Sequence, residues 1–202
     1  SVNGELPLPH PVFAGHPRPD ADTVPMTVKW SAHKRMVDLM AAGEEFDAVA
    51  YGTEALGVMR VEKGHAAGNE LNGQTTARDL GMGRMVSKKK DSIGSVLSER
   101  PELNREDGLA LMGFRPVDPN QGLKAGAHFI AKDKQANLEN DEGYMTSVAF
   151  SPAFHHSIGL GFIKRGGERK GEIVRAVDPV RGGDVEVEIV SPHFVDPEGK
   201  RL

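Results

Sequence analysis

The first half of the chain has the spacing of apolar and polar positions that is typical of helices. One helix is predicted to begin at Ser31, whose side chain can cap it, and to stop at Gly43. A second is predicted over Thr53–Lys63, with Thr53 as its N-cap and Gly64 as its stop. The apolar residues of the first helix fall on one side, and two of the second are predicted to face inward, with Val58 as a further candidate. They are Met36, Val37, Leu39 and Met40 in the first helix, and Leu56 and Met59 in the second.

After residue 107 the pattern becomes that of a β domain. Val185, Val187 and Ile189 alternate with two glutamates, which is typical of a strand with one buried face. Turn residues such as Asp118-Pro119-Asn120 and Gly182-Gly183 separate the β-prone runs, and six short runs at this spacing predict a small barrel or sandwich. The runs are Leu109–Phe114, Ala127–Ala131, Tyr144–Phe150, Ile158–Lys164, Glu172–Ala176 and Val185–Val190.

The segments outside these runs complete an α+β chain in two parts, 1–106 and 107–202. Six of the 13 prolines lie within the first 25 residues, and several alternate. Each proline removes a ladder donor, so this start is expected to be irregular rather than an internal strand. A further helix is predicted to end near Arg100-Pro101. Because the chain opens on Ser1 rather than Met, we expect it to be a piece of a longer protein.

Composition narrows the class of protein but names no reaction. The chain has 202 residues and a net charge of −4, which disfavours general binding to nucleic acid or to an anionic membrane. Its longest apolar stretches, such as Ile158–Ile163, are too short to span a bilayer. With no cysteine, it has neither disulfides nor thiolate chemistry. No signal-peptide pattern is present, and we expect a cytoplasmic protein.

The motifs that usually carry chemistry are absent or incomplete. Among the eight histidines, His155 and His156 are adjacent and would point to opposite faces of a strand, so no metal site is predicted. Gly81-Met82-Gly83 and Gly159-Leu160-Gly161 do not complete a dinucleotide-binding fingerprint, and their glycines are better explained by turns and close packing. The run Lys88–Lys90 is consistent with an anion site, but charge runs are usually solvated loops. No nucleophile motif occurs.

A resemblance gives more than these patterns do. The stretch Ala50–Gly73 resembles the YGTEA and RxEKG segments of heterotetrameric sarcosine oxidase alpha subunits. Further similar pieces follow in family order, including Gly126-Ala127-His128, Gly143–Ser147, Ile158-Gly159-Leu160 and the ending Pro192–Gly199. Those subunits end in a domain similar to the glycine-cleavage T-protein, which is an aminomethyltransferase.

The resemblance implies a fold and a larger reaction. It implies a partial T-protein-like α/β folate-binding domain followed by a small C-terminal antiparallel β-barrel. In the family, sarcosine is oxidised at a flavin, the imine carbon passes to tetrahydrofolate, and glycine and hydrogen peroxide are released. The flavin and nicotinamide (NAD) sites belong to other parts of the assembly, so the partners implied are the other oxidase subunits and folate.

Two departures limit what the resemblance assigns. Pro9 stands where the family has a pterin-holding glutamate, and residues 7–29 do not match the family. Leu56 stands where T-proteins carry a folate-contacting arginine, as a bulky apolar residue does in sarcosine oxidases. The catalytic aspartate of T-proteins belongs to an earlier segment that this chain lacks, so we assign no catalytic residue and expect no activity from the chain alone.

The best candidates for a folate chamber or its supporting shell lie in and near the second helix. They are Tyr51, Glu54, Arg60 and Glu62, with Tyr144 as a weaker one. Arg60 and Glu62 are equally compatible with bridges from helix to barrel, and Tyr144 with core packing. The leading hypothesis is a folate-domain fragment of a sarcosine oxidase alpha subunit. The alternatives are a structural assembly module that does not bind folate and a stand-alone aminomethyltransferase, which the missing upstream half disfavours.

Overall fold

A computed structural model describes residues 33–87, 89–90 and 92–200, with side chains from residue 36 onward. The chain divides into two compact units, residues 1–51 and 52–202. The expected capping role of Ser31, the proline-rich start and Pro9 all lie outside the described residues. Within them, no helix is both long enough and apolar enough to cross a bilayer.

The first unit is described from residue 33 onward, where a helix begins. Helix α1 spans His33–Gly43, and a 3-10 turn follows over Glu44–Phe46. The predicted stop at Gly43 is therefore confirmed. The large apolar side chains described in α1 are exposed, from 36% of their surface at Met40 to 55% at Val37.

The second unit begins with a helix that packs on a barrel. Helix α2 spans Thr53–Lys63, as predicted, and ends at Gly64 in the left-handed conformation. The assignment of Thr53 as N-cap is wrong, because the Leu56 N–H already bonds the Gly52 carbonyl and Gly52 is the capping residue. The helix predicted near Arg100 is short: α3 covers Ser95–Ser98, and a 3-10 turn covers Pro101–Leu103.

Six antiparallel strands close into a barrel in the order β1-β4-β3-β2-β5-β6. Each of the six predicted β-prone runs forms one of them, so the α+β class with a terminal barrel is confirmed. The strands are β1 (Leu109–Pro116), β2 (His128–Ala131), β3 (Asp141–Ser151), β4 (His156–Lys164), β5 (Ile173–Val177) and β6 (Asp184–Val190).

Strand β4 shows why the chain needs glycines inside a strand. Its Ile158, Leu160 and Phe162 belong to the core cluster on the outer side of the barrel, under α2. The residues between them face the interior, where a Cβ on Gly161 would lie 2.7 Å from the Tyr144 carbonyl oxygen. The close-packing explanation of Gly159-Leu160-Gly161 is therefore confirmed, and these glycines form no turn.

Helix α2 covers the outer wall of the barrel through one buried residue. Val61 is 1% exposed and packs with Leu160 and Phe162 of β4. Leu56 and Met59 were predicted to face inward, and this is wrong: they are 50% and 43% exposed. The helix carries apolar residues on two sides, and the side that packs is decided by the barrel surface rather than by the helical pattern.

Candidate functional site

A bulge in β3 places two hydroxyl groups side by side on the outer wall of the barrel. The pairing of β3 with β4 shifts register between Met145 and Ser147, so that Thr146 and Ser147 occupy the width of one residue. A β-bulge breaks the strict alternation of side chains. Both hydroxyls consequently point the same way, toward the turn after α2.

The Glu70 carboxylate receives these hydroxyls and is fully buried. The Thr146 and Ser147 hydroxyls each lie 2.5 Å from its Oε1. Its Oε2 accepts from Arg60 Nη1 at 3.0 Å and from the Ala67 N–H at 2.9 Å. Each oxygen thus has two donors, which is the arrangement that makes burial of a carboxylate tolerable.

Arg60 links this carboxylate to the barrel. Its second terminal nitrogen donates to Ser147 Oγ at 2.7 Å, while the first binds Glu70. Helix α2, the turn at residues 67–70 and the bulge of β3 are therefore joined by one polar network, here called the Glu70 network, which consists of Arg60, Glu70, Thr146 and Ser147.

The surroundings of Glu70 favour its charged form. Burial by itself raises the pKa of this carboxyl. The hydrogen bonds from Ser147, Thr146 and the Ala67 N–H lower the pKa, and so does the Arg60 charge. The lowering contributions win, and the pKa lies below its ordinary value of 4.5. The group is an anion held by its neighbours rather than a proton donor poised for neutral pH.

Glu62 makes the second link between α2 and β3. Its Oε1 lies 2.5 Å from Ser151 Oγ, the buried hydroxyl at the end of β3. Arg60 and Glu62, two of the residues chosen from sequence, thus both bond β3 from the same helix. This is the bridging arrangement that the sequence left open beside direct ligand contact.

The residues after β6 complete the end of α2. The Phe194 and Val195 N–H groups both donate to the Glu62 carbonyl at 2.9 Å. Lys63 is bound twice by Asp196, at 3.0 Å to its carboxylate and 2.8 Å to its carbonyl. The carbonyls at the end of a helix have no partner inside it, and here the closing segment of the chain supplies partners.

The remaining sequence-predicted residues do not join the Glu70 network. Tyr51 is 62% exposed, and Glu54 is exposed in the first turn of α2. Tyr144 of β3 is half-buried and tilts against Phe162 at 6.1 Å between ring centroids, as core packing requires. Their proposed contacts with a folate stay predictions.

Sequence reasoning missed Glu70, Thr146 and Ser147, the partners of Arg60 in the junction between α2 and β3. Glu70 lies in a turn with no periodic pattern around it, and nothing in the sequence marks a buried carboxylate there. The usable signal was the adjacent hydroxyl pair Thr146-Ser147 between apolar residues in the middle of β3, because polar side chains on a buried face need partners. In the described ranges, no group of three or more potential metal ligands lies together.

Comparison with known proteins gives this arrangement a family. Residues 27–90 match the family described as the GCVT N-terminal domain, and residues 110–196 match the glycine cleavage T-protein C-terminal barrel domain. The second match coincides with the closed barrel. The chain belongs to the glycine-cleavage T-protein family.

Within this family, the chain resembles sarcosine oxidase alpha subunits over its whole length. It is 37% identical to the sarcosine oxidase subunit alpha of Rhizobium meliloti (strain 1021). The matched region covers 100% of this chain and 19% of that protein. The corresponding subunit of Corynebacterium sp. (strain U-96) is 38% identical over 85% of the chain and 18% of its own length. The chain therefore spans about a fifth of these curated relatives.

T-proteins themselves are more distant relatives. The aminomethyltransferase of Thermosipho melanesiensis is 29% identical over 63% of this chain and 32% of its own length. The crystal structure of aminomethyltransferase T from Bartonella henselae superposes with a TM-score of 0.64 at 21% identity. That match covers 83% of this chain and 45% of the other, and it shows the shared fold.

Proposed function

We propose that this T-protein-family chain is part of the folate domain of a sarcosine-oxidase-type alpha subunit. In the intact enzyme, that domain passes the one-carbon unit released from sarcosine to tetrahydrofolate, while flavin and NAD are bound elsewhere. The observation that carries the proposal is the 37% identity over the entire chain to such a subunit. The two T-protein domain matches support the one-carbon role.

The proposal gives the residues of α2 two different roles. The side chains of Arg60 and Glu62 form hydrogen bonds with β3, so we assign them to holding the helix in place rather than to contacting a ligand. Glu54 in the first turn of α2 and Tyr51, which precedes the helix in sequence, are both exposed, which leaves them available for folate. Tyr144 is assigned to packing against Phe162 of β4. We assign no catalytic residue to the chain.

Such a division suits the chemistry of transfer. An imine or methylene carbon is an electrophile that water destroys, so a chamber must exclude water and hold the acceptor amine against it. Residues that position reacting groups within a fraction of an ångström must themselves be held by packing and by hydrogen bonds to the residues behind them. The Glu70 network supplies such support on the barrel side of α2.

A structural assembly module is the second candidate. The internal hydrogen bonds of Arg60 and Glu62 favour this second candidate, because side chains that are already bonded within the fold are not available to bind a ligand. The two candidates differ in the effect of the exposed residues of α2. In a folate domain, Glu54 affects transfer; in an assembly module, it does not.

The test uses an intact sarcosine oxidase that carries this chain as part of its alpha subunit. Glu54→Gln and Tyr51→Phe are expected to reduce the yield of 5,10-methylenetetrahydrofolate per sarcosine several-fold, since each removes one polar contact. Oxygen consumption at the flavin should stay unchanged. Glu139→Gln, at an exposed site within the 3-10 turn Leu138–Asn140 between β2 and β3, is the matched control. Unchanged product yield in both variants would favour the assembly module.

Calorimetry on the chain by itself tests the expectation that it does not bind tetrahydrofolate tightly or act on its own. Titration with tetrahydrofolate is expected to give no stoichiometric binding, because the proline at position 9 offers no carboxylate to the pterin. Tight one-to-one binding, or transfer of a one-carbon unit by this chain alone, would contradict it.

A further inference from the structure

A surface cleft of about 170 Å³ lies beside the end of α2 and has no role in the proposed transfer. Three segments form its walls: strand β1, the start of β4 with the turn before it, and the end of β6 with the residues that follow it. No Asp or Glu is among the lining residues. They are Arg115, Phe154, His156, Val190, Ser191, His193 and Phe194.

The walls of the cleft are fixed by hydrogen bonds to other parts of the fold. The Phe194 N–H donates to the Glu62 carbonyl at 2.9 Å, and the Phe154 N–H donates to Ser151 Oγ at 3.3 Å. A Cβ on Gly113 would lie 2.8 Å from the Phe194 ring, so that ring rests directly on β1. A site that exists before its ligand arrives loses little free energy to ordering.

Both imidazoles of the cleft have a defined proton position. His156 Nδ1 lies 2.8 Å from the Ser157 carbonyl oxygen, and His193 Nδ1 lies 2.9 Å from the Lys63 carbonyl oxygen. A carbonyl oxygen only accepts, so each Nδ1 carries the proton. Within the described part of the chain, neither Nε2 has a hydrogen-bond partner, and both remain available to a ligand.

Arg115 keeps part of its guanidinium free. Its Nε and Nη2 both donate to a single oxygen, Glu188 Oε2, at 2.9 and 2.7 Å. Its Nη1 donates to no group among the described residues. A guanidinium presents N–H groups along more than one edge, so a second anion can bind the edge that Glu188 leaves open.

The rest of the cleft is aromatic and apolar. The Phe154 and Phe194 rings are tilted, with centroids 6.3 Å apart, and Phe154 lies 6.0 Å from the His156 ring. Phe154 remains 39% exposed. An apolar group placed on these rings would remove their surface from water, which is favourable in proportion to the area covered.

We propose that this cleft binds a small organic carboxylate that carries a ring-sized apolar group. The carboxylate accepts from the open edge of Arg115, and the apolar group covers Phe154 and Phe194. The cleft, at about 170 Å³, is smaller than the pockets of about 300–1,000 Å³ that usually hold drug-sized ligands. Its size therefore suits a ligand with a single ring. The site is independent of the folate role and requires no bond to be made or broken.

Benzoate is the probe. Acetate, which has the carboxylate but no ring, and benzamide, which has the ring but no charge, are the controls. In an NMR titration of the whole chain, benzoate is expected to shift the ring signals of Phe154, Phe194 and the two histidines. Acetate and benzamide should bind at least about tenfold more weakly, since each loses either the apolar contact or the charge-assisted hydrogen bond. Inorganic phosphate is a further arm and should behave like acetate.

Two variants of one ion pair make the test specific. Arg115→Met should raise the dissociation constant for benzoate about tenfold, whereas Glu188→Gln should lower it by freeing the guanidinium. Arg175→Met is the matched control, because Arg175 also pairs with a carboxylate of β6, Asp184, but does not line the cleft. Equal binding of benzoate and benzamide, an unchanged constant in Arg115→Met, or tighter binding of phosphate would each overturn the proposal.

Discussion

Glu70 joins helix α2 to the barrel, because its carboxylate accepts hydrogen bonds from both. Its two oxygens accept four hydrogen bonds: one from Arg60 of α2, one from the Ala67 N–H of the same turn, and two from the hydroxyls of the β3 bulge. Removing one partner of a buried charged group is costly, because the remaining groups lose both their bond and their access to water. The residue therefore stabilises one relative placement of α2 and β3.

Replacing Glu70 by Gln tests this role. The amide keeps the size but turns an acceptor oxygen into a donor opposite other donors. We expect unfolding free energy at pH 7 to fall by about 1–3 kcal/mol, as measured by urea denaturation. Glu139→Gln is the control, because Glu139 is exposed, and it should change the free energy by less than about 0.5 kcal/mol.

The pH dependence of the same variant has a definite sign. The pKa of Glu70 is lowered in the folded state, so its stabilising contribution is fully present above the ordinary value of 4.5. It is lost progressively as pH falls from that value through the lowered pKa of the folded state, where the buried carboxylate takes up a proton. The difference between wild type and Glu70→Gln should therefore shrink on acidification below about pH 4.5. A difference that stays constant down to pH 3 would argue against a charged Glu70.

At the scale of the element, the end of α2 depends on a glycine for two separate reasons. Gly64 has φ of +72°, a conformation that side chains with a Cβ adopt at a cost. A Cβ there would also lie 2.4 Å from the Pro192 carbonyl oxygen. The stop that the sequence predicted is thus also the place where the closing segment crosses the helix.

Gly64→Ala is expected to destabilise the protein by about 1–3 kcal/mol, through backbone strain and displacement of the segment at residue 192. Thermal unfolding with a calorimetric readout measures the effect. Gly68→Ala is the matched control four residues later, where a Cβ meets nothing within 4 Å. Equal destabilisation by both substitutions would show that the crossing at Pro192 contributes nothing.

At the scale of the whole molecule, two helices of equal length have different support. Both α1 and α2 have 11 residues, but α2 buries Val61 and bonds β3 through two side chains, whereas the described apolar side chains of α1 are exposed. An isolated helix of this length is marginal in water, and packing supplies most helical stability.

Amide hydrogen exchange should separate the two helices. Amides of α1 are expected to exchange at least about 100-fold faster than those of α2 residues 57–63 and of β4, because the described apolar side chains of α1 are exposed and stabilise the helix less than buried ones do. Mass spectrometry of peptic fragments gives the rates, and α2 serves as the length-matched control. Equal protection of both helices would contradict the expectation.

The sequence by itself determined the local elements. Short β-prone runs separated by turn residues predicted the six strands of the barrel, and Gly64 marked the end of α2, because these features depend on neighbouring residues and on backbone geometry. The segments that resemble sarcosine oxidase alpha subunits also identified the family, which the matches over residues 27–90 and 110–196 support independently.

Only the tertiary structure decided which residues meet. The inward side of α2 was predicted wrongly from Leu56 and Met59, since the barrel surface selects Val61 instead. Glu70 and Ser147 are 77 positions apart and form their bond only because a bulge in β3 turns both hydroxyls outward. Burial and hydrogen bonding between distant segments depend on the closed barrel, and no local pattern of residues encodes them.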